Sequence, residues 1–341
     1  MPEKILAVPL DDTATSYHRV IQPLSYLKNK GWNIEFPKEK SQQLEQFKNA
    51  DIIYLNCLYA PSAYHFYREL VRKGKKLILD LDDDYFNIPI DSPEQTVVIK
   101  RDGSQEILTS SQRIYWMKAF LRLATAVSVT NQQLADFYAP YAKQIWVTPN
   151  CVSEEMCRDI PKPVSDTITI LWTGSVSHMQ DLGLLVKPIQ NILKKYPRVR
   201  FVCQGDLPFK EIFTECNISS FEGVKYGDYL NLLQEINPDV ALMPLQKNNF
   251  NLRKSDLKFS QLTLLECASI VSNYGPYEEI PDTAALKVED DGWESALESL
   301  IENPSKMLGF QTEAKKYVSD HRMISNQYAA WEKVINGCTD S

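Results

Sequence analysis

The 341-residue sequence contains no apolar run near the ~20 residues needed to cross a bilayer. Its opening stretch, MPEKILAVPL, runs straight into a strand-like pattern and lacks the layout of a signal peptide. A cytoplasmic location is the expectation. Cysteine is scarce and irregularly placed: seven residues, an odd number with no CxxC pair, argue against a disulfide framework or a zinc site. They read as reduced thiols in packing roles. Glycine is scarce too, at 12 residues, and no GxGxxG follows the first strand pattern, which disfavours a dinucleotide oxidoreductase. No internal repeat and no low-complexity tract occurs. An excess of positive charge is also missing: the net charge is −7 and the pI about 5.3. That balance makes a nucleic-acid partner unexpected, while peripheral contact of the first domain with a membrane stays open.

What the sequence does contain is a long alternation of strand and helix patterns. Short apolar runs at residues 4–10 (KILAVPL), 32–36, 51–56, 77–81, 126–130 and 144–148 are separated by helical periodicities. A second series follows at 168–172, 199–204, 221–224, 240–245, 269–272 and 285–288. Such alternation predicts an α/β chain of two doubly wound, Rossmann-like parallel sheets. An irregular stretch with Pro161 and Pro163 reads as the connection. The expected division is an N-terminal acceptor domain at 1–150, a linker at 151–166, a C-terminal donor domain at 167–310 and a helical tail at 311–341, the tail packing back on the first domain. Residues 92–109 are polar and read as a long excursion with an Arg-Asp-Gly turn at 101–103. In open α/β sheets ligands meet the carboxyl ends of the strands, so a central cleft faced by both domains is the expected binding place.

Three stretches stand out chemically. After the first strand, Tyr17, His18 and Arg19 lie in a polar segment ahead of a helix expected from Val20. They read either as acceptor or phosphate contacts or as solvated residues at a helix start. After the fourth strand stand Asp82, Asp83 and Asp84; three consecutive carboxylates repel one another, so a metal, a cationic partner, ligand hydroxyls or solvent must compensate. Adjacent side chains diverge, so no essential metal is expected there. The third stretch is NLRKSDLKFSQLTLLECASIVSNY at 251–274, on which the reading centres. A basic loop leads through Ser255, as N-cap, into a helix expected from Asp256 to about residue 267, then into a strand. Cations beside a helix start suit an anion.

Taken together, these motifs resemble the retaining glycosyltransferases of the GT-B fold, of the large family-4 type and its bacterial and phage subgroup. Carrying the resemblance are Tyr17-His18-Arg19 with Gln22-Pro23, the run DLDDDYF at 80–86, and Pro149-Asn150-Cys151-Val152. So do Trp172-Thr173-Gly174-Ser175 with His178 and Asp181, the run RKSDLKF at 253–259, and SNYGPY at 272–277. The resemblance implies transfer of a sugar from a nucleotide-diphosphate donor to a glycan, lipid-linked or protein acceptor, with no cofactor beyond the donor. It implies that Gly174, Ser175, Arg253, Lys254, Ser255, Lys258 and Gln261 hold the donor diphosphate and ribose. Asp82, Asp83, Asp84 and His178 would serve catalysis, and Tyr17, His18 and Arg19 would face the acceptor. At the places of the family's paired glutamates this sequence has Arg253 and Gln261, and Glu266-Cys267-Ala268 replaces its Gly-x-Pro. The alternative this raises is a catalytically weakened GT-B scaffold that binds nucleotide or glycan as an interaction subunit. The sugar, the nucleotide and the oligomeric state are not legible in the sequence.

Overall fold

The computed structural model describes residues 3–56, 60–89, 92, 97–99, 105–157, 165–214 and 216–339. Contacts divide the chain into two units. Unit 1 comprises Met1–Cys151, Arg253–Ser255 and Ile324–Ser341; unit 2 comprises Val152–Leu252 and Asp256–Met323.

Unit 1 is built on β1 (Ile5–Val8), β2 (Ile34–Glu35), β3 (Ile52–Asn56), β4 (Lys76–Leu81), β7 (Ala126–Val129) and β8 (Ile145–Val147), all parallel in the order β2-β1-β3-β4-β7-β8. The central strands are buried on both faces, which explains their continuous Ile, Leu and Val runs. One face packs helices Pro61–Arg72, Ser110–Leu123 and Gln132–Tyr138 through Tyr67, Leu70, Met117, Phe120 and Leu134. The other face packs Val20, Leu24 and Leu27 against Ile5, Tyr54 and Ile78, and is completed by Trp331, Val334 and Ile335 of helix Ala329–Thr339.

A helical run spans residues 14–29 and carries a π-turn at Tyr17–Ile21. The helix therefore begins six residues earlier than the sequence pattern suggested, and Tyr17, His18 and Arg19 lie within it, not ahead of it. The polar excursion at 92–109 holds an antiparallel pair, β5 (Val97–Ile99) and β6 (Gln105–Ile107). Its expected turn at 101–103 falls outside the described residues.

Unit 2 contains β9 (Ile168–Thr173), β10 (Val199–Gln204), β11 (Ser219–Phe221), β12 (Val240–Met243), β13 (Ala268–Ser272) and β14 (Leu286–Val288), again parallel, in the order β11-β10-β9-β12-β13-β14. The order reverses between β9 and β12, a topological switch point of the kind beyond whose carboxyl ends open α/β sheets bind ligands. Helix Pro304–His321 runs unbroken through the residue where the tail was expected to begin and belongs to unit 2; the part of the tail in unit 1 starts at Ile324.

The helix after the basic loop is shorter than its sequence pattern, at Leu257–Thr263. Its N-cap is Asp256 rather than Ser255, without a side-chain cap; the Asp256 carboxylate instead takes Arg322 Nε at 2.7 Å. Beyond its end, Glu266 adopts a left-handed φ of 52°, a conformation that glycine takes without strain.

Candidate functional site

The residues singled out from the sequence fall into two groups. In unit 1, the end of β4 is wired to distant parts of the chain. Register sets Asn56 of β3, Asp80 of β4 and Ser128 of β7 side by side. Arg19 reaches Asp80 with Nε at 2.7 Å and Nη2 at 3.0 Å, and gives Nη1 to the Thr148 carbonyl at 2.6 Å and to Asn150 Oδ1 at 3.0 Å. Tyr54 donates its hydroxyl to the same carboxylate at 2.6 Å. An ion pair with no solvent exposure is tolerated only when its remaining donors and acceptors are satisfied, and here they are. His18 is equally enclosed: Nδ1 donates to the Cys151 carbonyl at 2.7 Å, and burial pushes its pKa down to about 4. The acceptor-side role expected for His18 and Arg19 is therefore corrected: both are interior residues tying the π-turn to β4 and to the end of β8. Of that trio only Tyr17 keeps a partly exposed ring, set edge-on to His18 at 5.2 Å.

The question posed by the acidic run is answered in the same unit. Arg253 Nη1 lies 2.8 Å from Asp84 Oδ2, and Lys254 Nζ lies 3.4 Å from Asp83 Oδ2. The Arg253 guanidinium also covers the Phe137 ring at 4.1 Å. Asn131 caps helix Gln132–Tyr138 with its oxygen and donates its amide to the carbonyls of Arg253 at 3.1 Å and Lys254 at 2.8 Å. Asn150 Nδ2 donates to Ser255 Oγ at 2.8 Å. Asp84 is fully buried, and burial raises its carboxyl above the ordinary value against the pull of hydrogen bonds from Asn87 and Phe86 and of Arg253. Arg253 and Lys254, expected as diphosphate ligands, are thus partners of the carboxylates expected as catalysts. Asp82 faces a different set: Thr15 Oγ1 at 2.7 Å and the Tyr85 hydroxyl at 2.6 Å.

In unit 2 the carboxyl ends of β9 and β10 touch. Gly174 N donates to the Gln204 carbonyl at 3.1 Å, and Gly205 takes a φ of 137° with its missing Cβ only 2.0 Å from the Gly174 carbonyl oxygen. No other residue fits at 205. A Cβ on Gly174 would meet the Trp172 ring at 2.9 Å. Ser175 opens the short turn Val176–His178, with its hydroxyl 2.8 Å from Ser177.

His178 Nδ1 lies 2.8 Å from Asp181 Oδ2, which fixes the ring. Asp181 Oδ1 accepts from Gln246 N and Asn251 Nδ2, each at 2.8 Å. Asp181, nearly inaccessible, is thus the joint between the loops that follow β9 and β12. Lys258 holds its ammonium 5.9 Å from the Trp172 ring centroid. Gln261 Nε2 donates to the Tyr226 hydroxyl at 2.9 Å, and Tyr226 stacks on Tyr229, whose phenol burial pushes up to about 12. Sequence reasoning passed over Asp181 as a site residue, and Gly205, Asn131 and the two tyrosines. Two of these carried a signal: Asp181, which stands in the motif with His178, and Gly205, a glycine at the end of a strand. Among the described residues no group of three or more His, Cys, Asp or Glu could hold a metal ion, and no helix is long and apolar enough to cross a membrane.

No protein-family model matches the sequence, and no curated protein does. Solved structures do match. Sucrose-phosphate synthase from Thermosynechococcus elongatus superimposes with a TM-score of 0.71 at 13% identity, over 100% of this chain and 99% of that one. HepE of Anabaena, solved with UDP-glucose, gives 0.66 at 12% identity over 99% of this chain and 100% of that one. TarM gives 0.61 at 13% identity over 84% of this chain and 54% of that one. From β1 to helix Ala329–Thr339, the chain has the two-sheet GT-B fold that these proteins share.

Proposed function

We propose that the protein transfers a glycosyl group from a nucleotide-diphosphate sugar to an acceptor hydroxyl, with retention at the anomeric carbon. The observation that carries this reading is the match of both units, along almost the whole chain, to a protein solved with UDP-glucose. In the reaction the acceptor oxygen bonds to the anomeric carbon on the face that the diphosphate leaves. The electron pair of the breaking C–O bond goes to the diphosphate, and the acceptor proton follows it there. No protein nucleophile is needed. Charge building on the leaving group is the obstacle, and fixed cations and amides aimed at it lower the barrier.

In unit 2, the Gly174–Ser175 turn lets the diphosphate approach the backbone, and Lys258 supplies a point charge. Gln261, oriented by Tyr226, meets ribose hydroxyls, and His178, oriented by Asp181, serves the sugar or the acceptor. In unit 1, Asp82 and Tyr17 are the acceptor-side residues. The reading needs no metal, since Lys258 and the amides meet the diphosphate charge.

The test is a thermal-shift screen of UDP, GDP, ADP and their glucose and N-acetylglucosamine esters. Binding to the native state alone adds about 2.7 kcal/mol at a hundredfold excess over Kd. At least one diphosphate is expected to raise Tm, and Lys258→Ala to abolish the rise. A flat response across the panel sinks the proposal. The pairing of Arg253 and Lys254 with Asp84 and Asp83 favours a second reading, a scaffold that binds donor without turning it over. Single-turnover donor hydrolysis separates the two: a donor that binds and is never cleaved, whatever acceptor is offered, belongs to the scaffold.

A further inference from the structure

A cavity of about 380 Å³ opens at the amino ends of the unit 1 strands, where Ile5 begins β1 and Asn33 precedes β2. The run of aspartates lies past the opposite end of the same sheet; four residues of β1 alone span roughly 13 Å. Nothing in the glycosyl-transfer reading uses this end of the sheet.

Its lining has a definite chemistry. Ile5 and Ile335 supply apolar surface, and Trp32 is an aromatic wall fixed by the bond from its indole nitrogen to Glu332 Oε1 at 3.1 Å. Gly31, at a φ of 97°, makes the turn that presents Lys30 and Trp32. The Lys30 ammonium is held 5.5 Å from the Tyr26 ring and 5.2 Å from that of Tyr328, an anchorage that leaves its hydrogens able to donate. Glu3 brings a carboxylate whose Oε1 is 3.8 Å from Lys76 Nζ. Its Oε2 is shielded from solvent and has no hydrogen-bond partner among the described residues. The Glu3 side chain is 37% exposed, so its carboxylate keeps acceptor capacity for a ligand hydroxyl.

We propose that this cavity binds a saccharide, one or two pyranose rings long. A single carboxylate and a single ammonium give no net charge to attract an ion. Donors and acceptors set around an aromatic wall suit a ligand with one apolar face and hydroxyls along its edge. A pyranose lays its C–H face on Trp32, gives a hydroxyl proton to the accessible part of the Glu3 carboxylate, and accepts from Lys30 and the carboxamides of Asn33 and Asn336. The volume sits at the small end of the ~300–1,000 Å³ typical of small-molecule sites.

Saturation-transfer NMR and titration calorimetry on the full chain, with methyl α-glucoside, N-acetylglucosamine, maltose and cellobiose, test this. At least one is expected to show transfer to its ring protons. Its Kd should rise tenfold or more in Glu3→Ala and again in Trp32→Ala, and stay unchanged in Lys258→Ala, which reports on the donor side in unit 2. Glu3 is partly exposed, so its variant keeps the fold even where the Trp32 variant does not. The proposal is overturned if no sugar in the panel binds, if binding survives Glu3→Ala, or if it is lost only in Lys258→Ala.

Discussion

His18 makes the stability of unit 1 depend on pH in a way that can be calculated. The imidazole is fully buried in the π-turn, donates Nδ1 to the Cys151 carbonyl and is hydrogen-bonded by the Gln22 side chain. Burial lowers its pKa from 6.5 to about 4. Below pH 6.5 the unfolded chain therefore takes up a proton that the native state refuses. The stability contributed by the neutral ring is complete above pH 6.5 and drains away as the pH falls toward 4. Each pH unit in that window costs about 1.4 kcal/mol, for a loss of roughly 3 kcal/mol in all.

Carboxylates titrate in the lower part of the same range, so the quantity to measure is a difference. His18→Asn keeps a donor to the Cys151 carbonyl but has nothing to titrate. Urea unfolding followed by tryptophan fluorescence, for both proteins at several values between pH 7.5 and 4.5, gives that difference. The wild type should lose its advantage over the variant steadily as the pH falls. Parallel pH dependences would refute the argument, as would an imidazole resonance of folded His18 that titrates near 6.5.

Two further outcomes follow from the packing. Asp84→Ala strands Arg253 and the donors of Asn87 and should cost about 3–5 kcal/mol; a double-mutant cycle with Arg253→Ala should show a coupling of about 0.5–3 kcal/mol, and zero coupling in urea unfolding would discredit the ion pair. Gly205→Ala forces a methyl into the Gly174 carbonyl at a φ that L residues avoid. It should lower stability by at least about 3 kcal/mol in thermal unfolding, and an unchanged Tm would mean that the two strand ends do not meet as described.

The strands were legible because parallel strands buried on both faces need uninterrupted apolar runs, and such runs survive in a one-dimensional reading. Residues 11–19 were not. His18 and Arg19 are polar in any local window, and their burial is made affordable by Asp80, Thr148 and Asn150, whose proximity only the fold creates. The three aspartates announced that something must balance them, but Arg253 stands 169 residues from Asp84. Likewise the pattern at 256–267 read as one helix, while the chain turns at Glu266 in a conformation that a periodicity cannot register. The importance of Gly174 and Ser175 was visible from their place after a strand. Asp181 was visible as part of the same motif, but that it joins that loop to the one following β12, through Gln246 and Asn251, only the fold shows.

Unit 1 closes its second hydrophobic face with Trp331, Val334 and Ile335. During synthesis these residues leave the ribosome only after every strand of unit 2 has emerged. The first-made sheet must therefore wait with this face only partly covered, by Val20, Leu24 and Leu27, while the later sheet is assembled, although N-terminal domains ordinarily fold first. A nascent chain halted before Ile324 would present the uncovered remainder of that face to chaperones, so the half that is translated earliest is the half that matures last.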